Sequence, residues 1–301
     1  MEENILSDKA AACLLGIAIG EGMGIPADGL TPYEVLSRFG RIAGFFPGAD
    51  SDPGDYGRET KFAGTLATAL CSGSIPDLAE IARKAREGIK EGESGRLSLS
   101  SSAVVSLSLR VSKTPVSGLV SACKAIASGM GLSPADTIAV FSYAFILGEA
   151  ASNSASLSTP YDNYESDNSL LARTIAMCAM AEGKVGIKGD ERVSEKLLFV
   201  RHKLGNCFWD SPRVFAVLGQ KASAADAAAR AIYAFLRTPD DFSAACDAAS
   251  LGGCASLNAA LVGGLVGAYG GVSRIPPDLS GSVKNGMKIE AVGKRLGRAG
   301  T

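Results

Sequence analysis

A chain of 301 residues, 47% of them hydrophobic, is long enough to bury a sizeable core, and length alone permits one large domain or two smaller ones. Thirty Lys and Arg against 31 Asp and Glu leave a net charge of -1, and no basic stripe with interleaved aromatics occurs. A general attraction to nucleic acid or to an acidic membrane surface is thereby excluded. The seven cysteines, Cys13, Cys71, Cys123, Cys178, Cys207, Cys246 and Cys254, are scattered and form no CxxC pair. They read as buried free thiols in a reducing compartment, with no thiolate metal site. The start is acidic (Glu2, Glu3) and lacks the basic region of a signal peptide, so the expected location is the cytoplasm.

Helical periodicity then dominates. Apolar spacing predicts helices over 6–19, 60–70, 78–89, 116–127, 135–150, 169–181, 194–204, 222–236, 242–249, 256–269 and 283–296. Ser133-Pro134 reads as a cap followed by proline at the first helical position, and Thr238-Pro239-Asp240-Asp241 does the same before Phe242. Gly88, Gly92 and Gly95 fit helix ends or loops. Segment 104–111 alternates Val105, Leu107, Leu109 and Val111 and is the one stretch ambiguous between strand and helix. Two loops are longer: 45–56, rich in Gly, Asp and Pro, and 151–167, rich in Ser and Asn with Tyr161 and Tyr164. Neither has the composition of an interdomain linker, so a single all-α domain over 1–301 is expected. The uncharged stretch 251–273 is long enough to span a bilayer. Its many glycines, with Ser256 and Asn258, instead suit a buried central helix packed closely through small residues, as does 10–24, and no membrane partner is expected.

Three segments carry possible chemistry. In the first, Gly16, Gly20 and Gly24 recur every four residues along one helix face, which permits close helix contact or close approach to a ligand. Glu21 falls at the end of this apolar run, where a carboxylate is either functional or a solvated helix end, and Asp28 follows the turn at Ile25-Pro26. In the second, Gly57-Arg58-Glu59-Thr60 opens an apolar helix after a loop bearing Asp50, Asp52 and Asp55. Glu59 and Thr60 offer oxygen ligands for a cation, but Arg58 beside them repels one and suits an anion or an ion pair with Glu59. In the third, Gly252-Gly253-Cys254-Ala255-Ser256-Leu257 leads into the uncharged helix. Backbone N–H groups at Gly252 and Gly253 could grip an anion, and Ser256 suits an N-cap; the bland alternative is a glycine-permitted turn.

Other enzyme classes lack their residues. The lone histidine, His202, sits between Arg201 and Lys203 on a surface-like helix face. Gly219-Gln220-Lys221 lacks phosphate-loop spacing, Tyr161-Asp162-Asn163-Tyr164-Glu165 has no specific chemical pattern, and Phe208 and Trp209 read as packing beside a helix start at Ser211-Pro212.

In order and spacing the three segments resemble the ADP-ribosylglycohydrolase family, the dinitrogenase-reductase-activating glycohydrolase-like proteins. The likeness covers nearly the whole chain. Its most specific part is the C-terminal signature, from Ala231–Leu236 and Asp240-Asp241-Phe242 through Gly252-Gly253 to Ala268-Tyr269-Gly270-Gly271 and Ile275-Pro276. The resemblance implies a compact all-helical bundle, a cleft holding two Mg²⁺ ions, and removal of ADP-ribose from modified proteins or related acceptors.

The family's metal ligands are two aspartates and a threonine from each of two elements. Carried over by position, Gly57 stands at the first ligand threonine, Arg58 and Glu59 at its two aspartates, and Thr60 matches that element's final threonine. Cys254 and Ser256 stand at the two C-terminal aspartates and Leu257 at their threonine. Asp28 falls at the substrate-gating glutamate, one methylene shorter, and Glu21 at the helix-end aspartate. Val104 replaces a glycine in the serine-rich segment that lies against the diphosphate in the family, and Gly131-Leu132 replaces its Thr-His turn. Two dications need several oxygen ligands with compensating charge, which Glu59 alone does not supply.

The expectation is therefore a pseudoenzyme without a cofactor, whose remodelled cleft binds a small anionic ligand or a protein through Glu21, Arg58, Gly252, Gly253, Cys254 and Ser256. The competing expectation is an active N-glycosidic hydrolase. There Glu21, Asp28 and Glu59 supply a metal-free acid and base and Arg58 stabilises a Cys254 thiolate, with magnesium needed only in that case.

Overall fold

The most apolar stretches of the chain become its innermost helices. A computed structural model describes residues 2–72, 76–87, 94–111, 113–152, 166–167, 169–204, 211–218 and 223–298. Among these are fifteen α-helices and no strand. They are α1 (Glu2–Gly24), α2 (Pro32–Phe39), α3 (Arg58–Leu70), α4 (Leu78–Arg86), α5 (Ser94–Val111), α6 (Val116–Met130), α7 (Pro134–Ser152) and α8 (Leu170–Val185). Then follow α9 (Val193–Leu204), α10 (Ser211–Leu218), α11 (Ala224–Arg237), α12 (Ser243–Ser250), α13 (Ala255–Gly270), α14 (Pro277–Ser282) and α15 (Gly286–Leu296).

Helix α13 carries no charge and α1 is uncharged from Ala10 to Gly20, and the two lie against each other at the centre. Their contact is backbone on backbone. A Cβ on Gly16, Gly20 or Gly24 would overlap the backbone of Gly263, Ala259 or Ser256, and one on Gly267 would overlap the Ala12 carbonyl. The period-four glycines thus serve close helix contact. Helix α15 closes on the other flank of α1, with Gly293 against Ala10 and Ala11 and Gly297 against Ser7. Helices α3, α5, α7, α11 and α12 surround the pair, while α4 with α6 and α8 with α9 pack farther out. Among the described residues one apolar helix, Asn4–Ala27, is long enough to cross a membrane, and 89% of its apolar window is buried inside the molecule, the burial of a core helix.

Several sequence expectations change. Segment 104–111 is helix, the second half of α5, whose Ser100, Ser101, Ser102 and Ser106 are all buried. Their hydroxyls donate to carbonyls three residues back in α5 or to Val140 and Ala144 of α7, so these serines pack like small apolar residues. Val104 is fully buried beside them. The helix expected over 283–296 begins only at Gly286, as α15, after Asn285 at φ 57°, and the short α14 before it was not expected. Helix α2 was not expected; Thr31 and Glu34 form a capping box with Pro32 at the first position. The Ser133 cap of α7 is present, but the Thr238-Pro239 cap is not: Thr238 ends α11, and α12 starts only at Ser243, whose N–H donates to the Asp241 carboxylate at 2.8 Å. Gly95 lies within α5. Gly88, Gly92, Tyr161–Glu165, Cys207, Phe208, Trp209 and Gly219-Gln220-Lys221 lie outside the described residues.

Candidate functional site

A helix N-terminus presents N–H groups that no residue of its own helix accepts, and it carries a partial positive charge. In this chain those of α3 and α13 face carboxylates from the segment that ends α1. Glu21, only 2% exposed, accepts the Glu59 N–H at 3.1 Å, the Thr60 N–H at 2.9 Å and the Thr60 hydroxyl at 2.6 Å. A Cβ on Gly57 would overlap the Glu21 carboxylate, so glycine at that position admits the acid. Asp28 accepts the Ser256 N–H at 2.9 Å and the Ser256 hydroxyl at 2.6 Å.

Each sequence-predicted residue can now be placed. Glu21 is a buried internal anchor, so the solvated-end alternative is wrong for it. Arg58 is exposed at the first position of α3, and Glu59 is half-buried at the second. A cation there opposes the helix dipole, which the Glu21 carboxylate offsets. Of the loop aspartates, Asp55 pairs with Lys284 at 2.6 Å, and the Lys284 ammonium holds its carboxyl below the usual carboxylate range. Gly252 and Gly253 both adopt left-handed φ, 66° and 65°, so the turn needs glycine. The Gly253 N–H donates to Leu30 O at 2.8 Å, and the Gly253 carbonyl accepts from Gly29 N–H at 2.7 Å. The anion received by the α13 turn is the chain's own Asp28. Cys254, half-buried, is the N-cap residue of α13; Ser256 is two positions inside the helix, correcting its expected N-cap role. Leu257 is fully buried and belongs to the core.

The same device recurs elsewhere. Glu182, fully buried on α8, accepts the Ser194 N–H at 3.0 Å and the Ser194 hydroxyl at the start of α9, with Arg192 at 3.3 Å. Asp8 accepts the Val272 N–H at 3.1 Å where the chain leaves α13. One charged residue near the α13 start was missed by sequence reasoning. Arg230, 1% exposed on α11, directs its Nε to Asn258 Oδ1 at 3.2 Å and lies over the Phe215 ring. The signal was present: one charge within the alanine run Ala227-Ala228-Ala229-Arg230-Ala231.

His202 is exposed, as its charged neighbours suggested. Cys13, Cys123, Cys178 and Cys246 are buried, and burial pushes the Cys123 and Cys178 thiols up to about 12 and the Cys246 thiol to about 11. Among the described residues no three His, Cys, Asp or Glu side chains converge as a metal-holding group.

Comparisons with known proteins agree on one scaffold. The sequence model of the family described as ADP-ribosylglycohydrolase matches residues 2–301. A protein of Archaeoglobus fulgidus recorded as an uncharacterized protein is 23% identical over 279 residues, 88% of each chain. A solved structure titled "ADP-ribosylglycohydrolase-related protein complex" superposes with a TM-score of 0.68 at 20% identity, covering 98% of this chain and 99% of that one, which shows a shared fold.

Proposed function

The chain belongs to the ADP-ribosylglycohydrolase family, and on that premise we propose that it is a member whose cleft has given up the two-magnesium site and acts as a binding module. The observation that carries this reading is the pair of carboxylate clamps. At the two helix starts where the family gathers its metal ligands, Glu21 and Asp28 are held by N–H groups and hydroxyls of Glu59, Thr60 and Ser256. Each clamp places one negative charge on a helix dipole and a hydrogen-bonded acceptor on its orphan donors, two of the needs a bound dication and its ligands would otherwise meet. Arg58, Cys254, Ser256 and Leu257 at ligand positions add no negative oxygen, and hard dications select for such oxygens.

The cleft that remains takes a small anionic ligand or a protein partner beside exposed Arg58, within one domain over 1–301, in the cytoplasm. Calorimetric titration with Mg²⁺, combined with incubation on ADP-ribosylated protein, tests the proposal. The expected result is no pair of tight Mg²⁺ sites and no release of ADP-ribose. Two tight sites would overturn it. Metal-independent release that disappears in Glu59→Gln would instead identify a rewritten hydrolase using Asp28 and Glu59.

A further inference from the structure

A groove of about 400 Å³ runs between α3 and α15, with Tyr56 and the clamp residue Thr60 among the residues that line it. Its floor is the side of α1 that carries Leu14 and Ile17, and Ile289 of α15 forms part of its apolar wall. On the α3 wall, Gly64 leaves a gap: a Cβ there would meet nothing within 4 Å. The volume lies in the range of small-molecule sites, and the surface has their usual character, mostly apolar with a few polar groups at the rim.

The rim is charged with one sign. Lys61 rises from α3 and Lys288 from α15, both exposed, and no Asp or Glu lines the groove. Of the nearby acids, Glu290 pairs with Lys294, while Asp55 pairs with Lys284 and also lies near enough to Lys61 to feel its charge. An apolar floor bordered by a lysine from each of two helices selects an occupant with an apolar body and an anionic head.

We propose that this groove is a binding site for a small amphipathic anion, its body over Leu14, Ile17 and Gly64 and its head between Lys61 and Lys288. The site borders the Glu21 clamp through Thr60, but its occupancy does not depend on the proposed reading of the cleft.

The probe is 8-anilinonaphthalene-1-sulfonate, with uncharged N-phenyl-1-naphthylamine as its counterpart, followed by fluorescence on the full chain. The expected result is saturable one-to-one binding of the sulfonate that weakens with added salt. Gly64→Leu fills the gap with a better helix former and abolishes binding of both probes. The double variant Lys61→Glu with Lys288→Glu weakens the sulfonate by about tenfold or more while changing the neutral probe far less. Circular dichroism checks that each variant is folded; a partly unfolded variant would bind more dye, the opposite of the expected change. Absence of saturable binding by the native chain overturns the proposal, as does unchanged binding in Gly64→Leu. Equal loss of both probes in the double-lysine variant overturns the assignment of the head to the lysines.

Discussion

Glu21 joins the end of one helix to the start of another through three hydrogen bonds in a buried setting. Glu21→Gln keeps the shape but removes the charge and turns an NH₂ group toward donors. It should lower stability by about 2–3 kcal/mol, read by denaturant unfolding with and without Mg²⁺. Equal stability of variant and wild type would show that the clamp is not structural. Asp28 is exposed, so water partly replaces it, and Asp28→Ala should cost only about 1 kcal/mol. The residue type and setting of both acids were legible in the sequence, but their partners lie 38 and 228 positions away, and no local pattern encodes such a pairing. Lys9 adds a pH effect. It is buried and donates to Ala151 O at 2.8 Å, and burial lowers its pKa below 10.5, with Asp8 opposing. The unfolded chain then holds this proton more tightly than the folded one. Stability relative to Lys9→Met should therefore rise as pH climbs from the folded pKa toward 10.5, and a pH-independent difference would contradict the assignment.

At the scale of elements, the α1–α13 contact at Gly16, Gly20, Gly263 and Gly267 meets backbone, which cannot yield as a side chain could. Gly20→Ala places its methyl in the Ala259 carbonyl and should cost more than about 3 kcal/mol, with Gly263→Ala similar through Gly16. Thermal melts test this; a loss below about 1 kcal/mol would mean that the helices separate easily. The every-fourth-residue glycines marked a face for close helix contact or close ligand approach, and the backbone of α13 against them decides for helix contact. Helix α5 was less legible, because its buried serines bond their own backbone and leave an accidental alternation of Val and Leu that mimics a strand. Helix α2 was missed for its brevity, eight residues, although its capping box was in the sequence.

Across the whole molecule, apolar periodicity was sufficient for the all-helical class, since each long apolar run found a buried place. It was not sufficient for the pairing of Glu21 and Asp28 with the starts of α3 and α13, because that pairing depends on which helix ends meet. The two ends of the described chain also meet: Ser7 donates to Lys294 O at 3.0 Å where α15 lies along α1. Removing 286–298 should uncover that flank of α1 and replace a single sharp calorimetric transition with a broad or absent one. Retention of the sharp transition would show that α15 is an accessory.

Pairing α1 with α13 has a consequence in time as well as in space. The ribosome completes α1 roughly 230 residues before α13 begins. At about 5–20 residues per second, a helix apolar enough to cross a membrane waits roughly 10–50 s for its partner. During that interval nascent-chain chaperones and membrane-targeting factors meet the same hydrophobic segment that the finished fold conceals. Slower elongation lengthens this window, so the yield of folded protein should depend on the pace of translation even where equilibrium stability is unchanged.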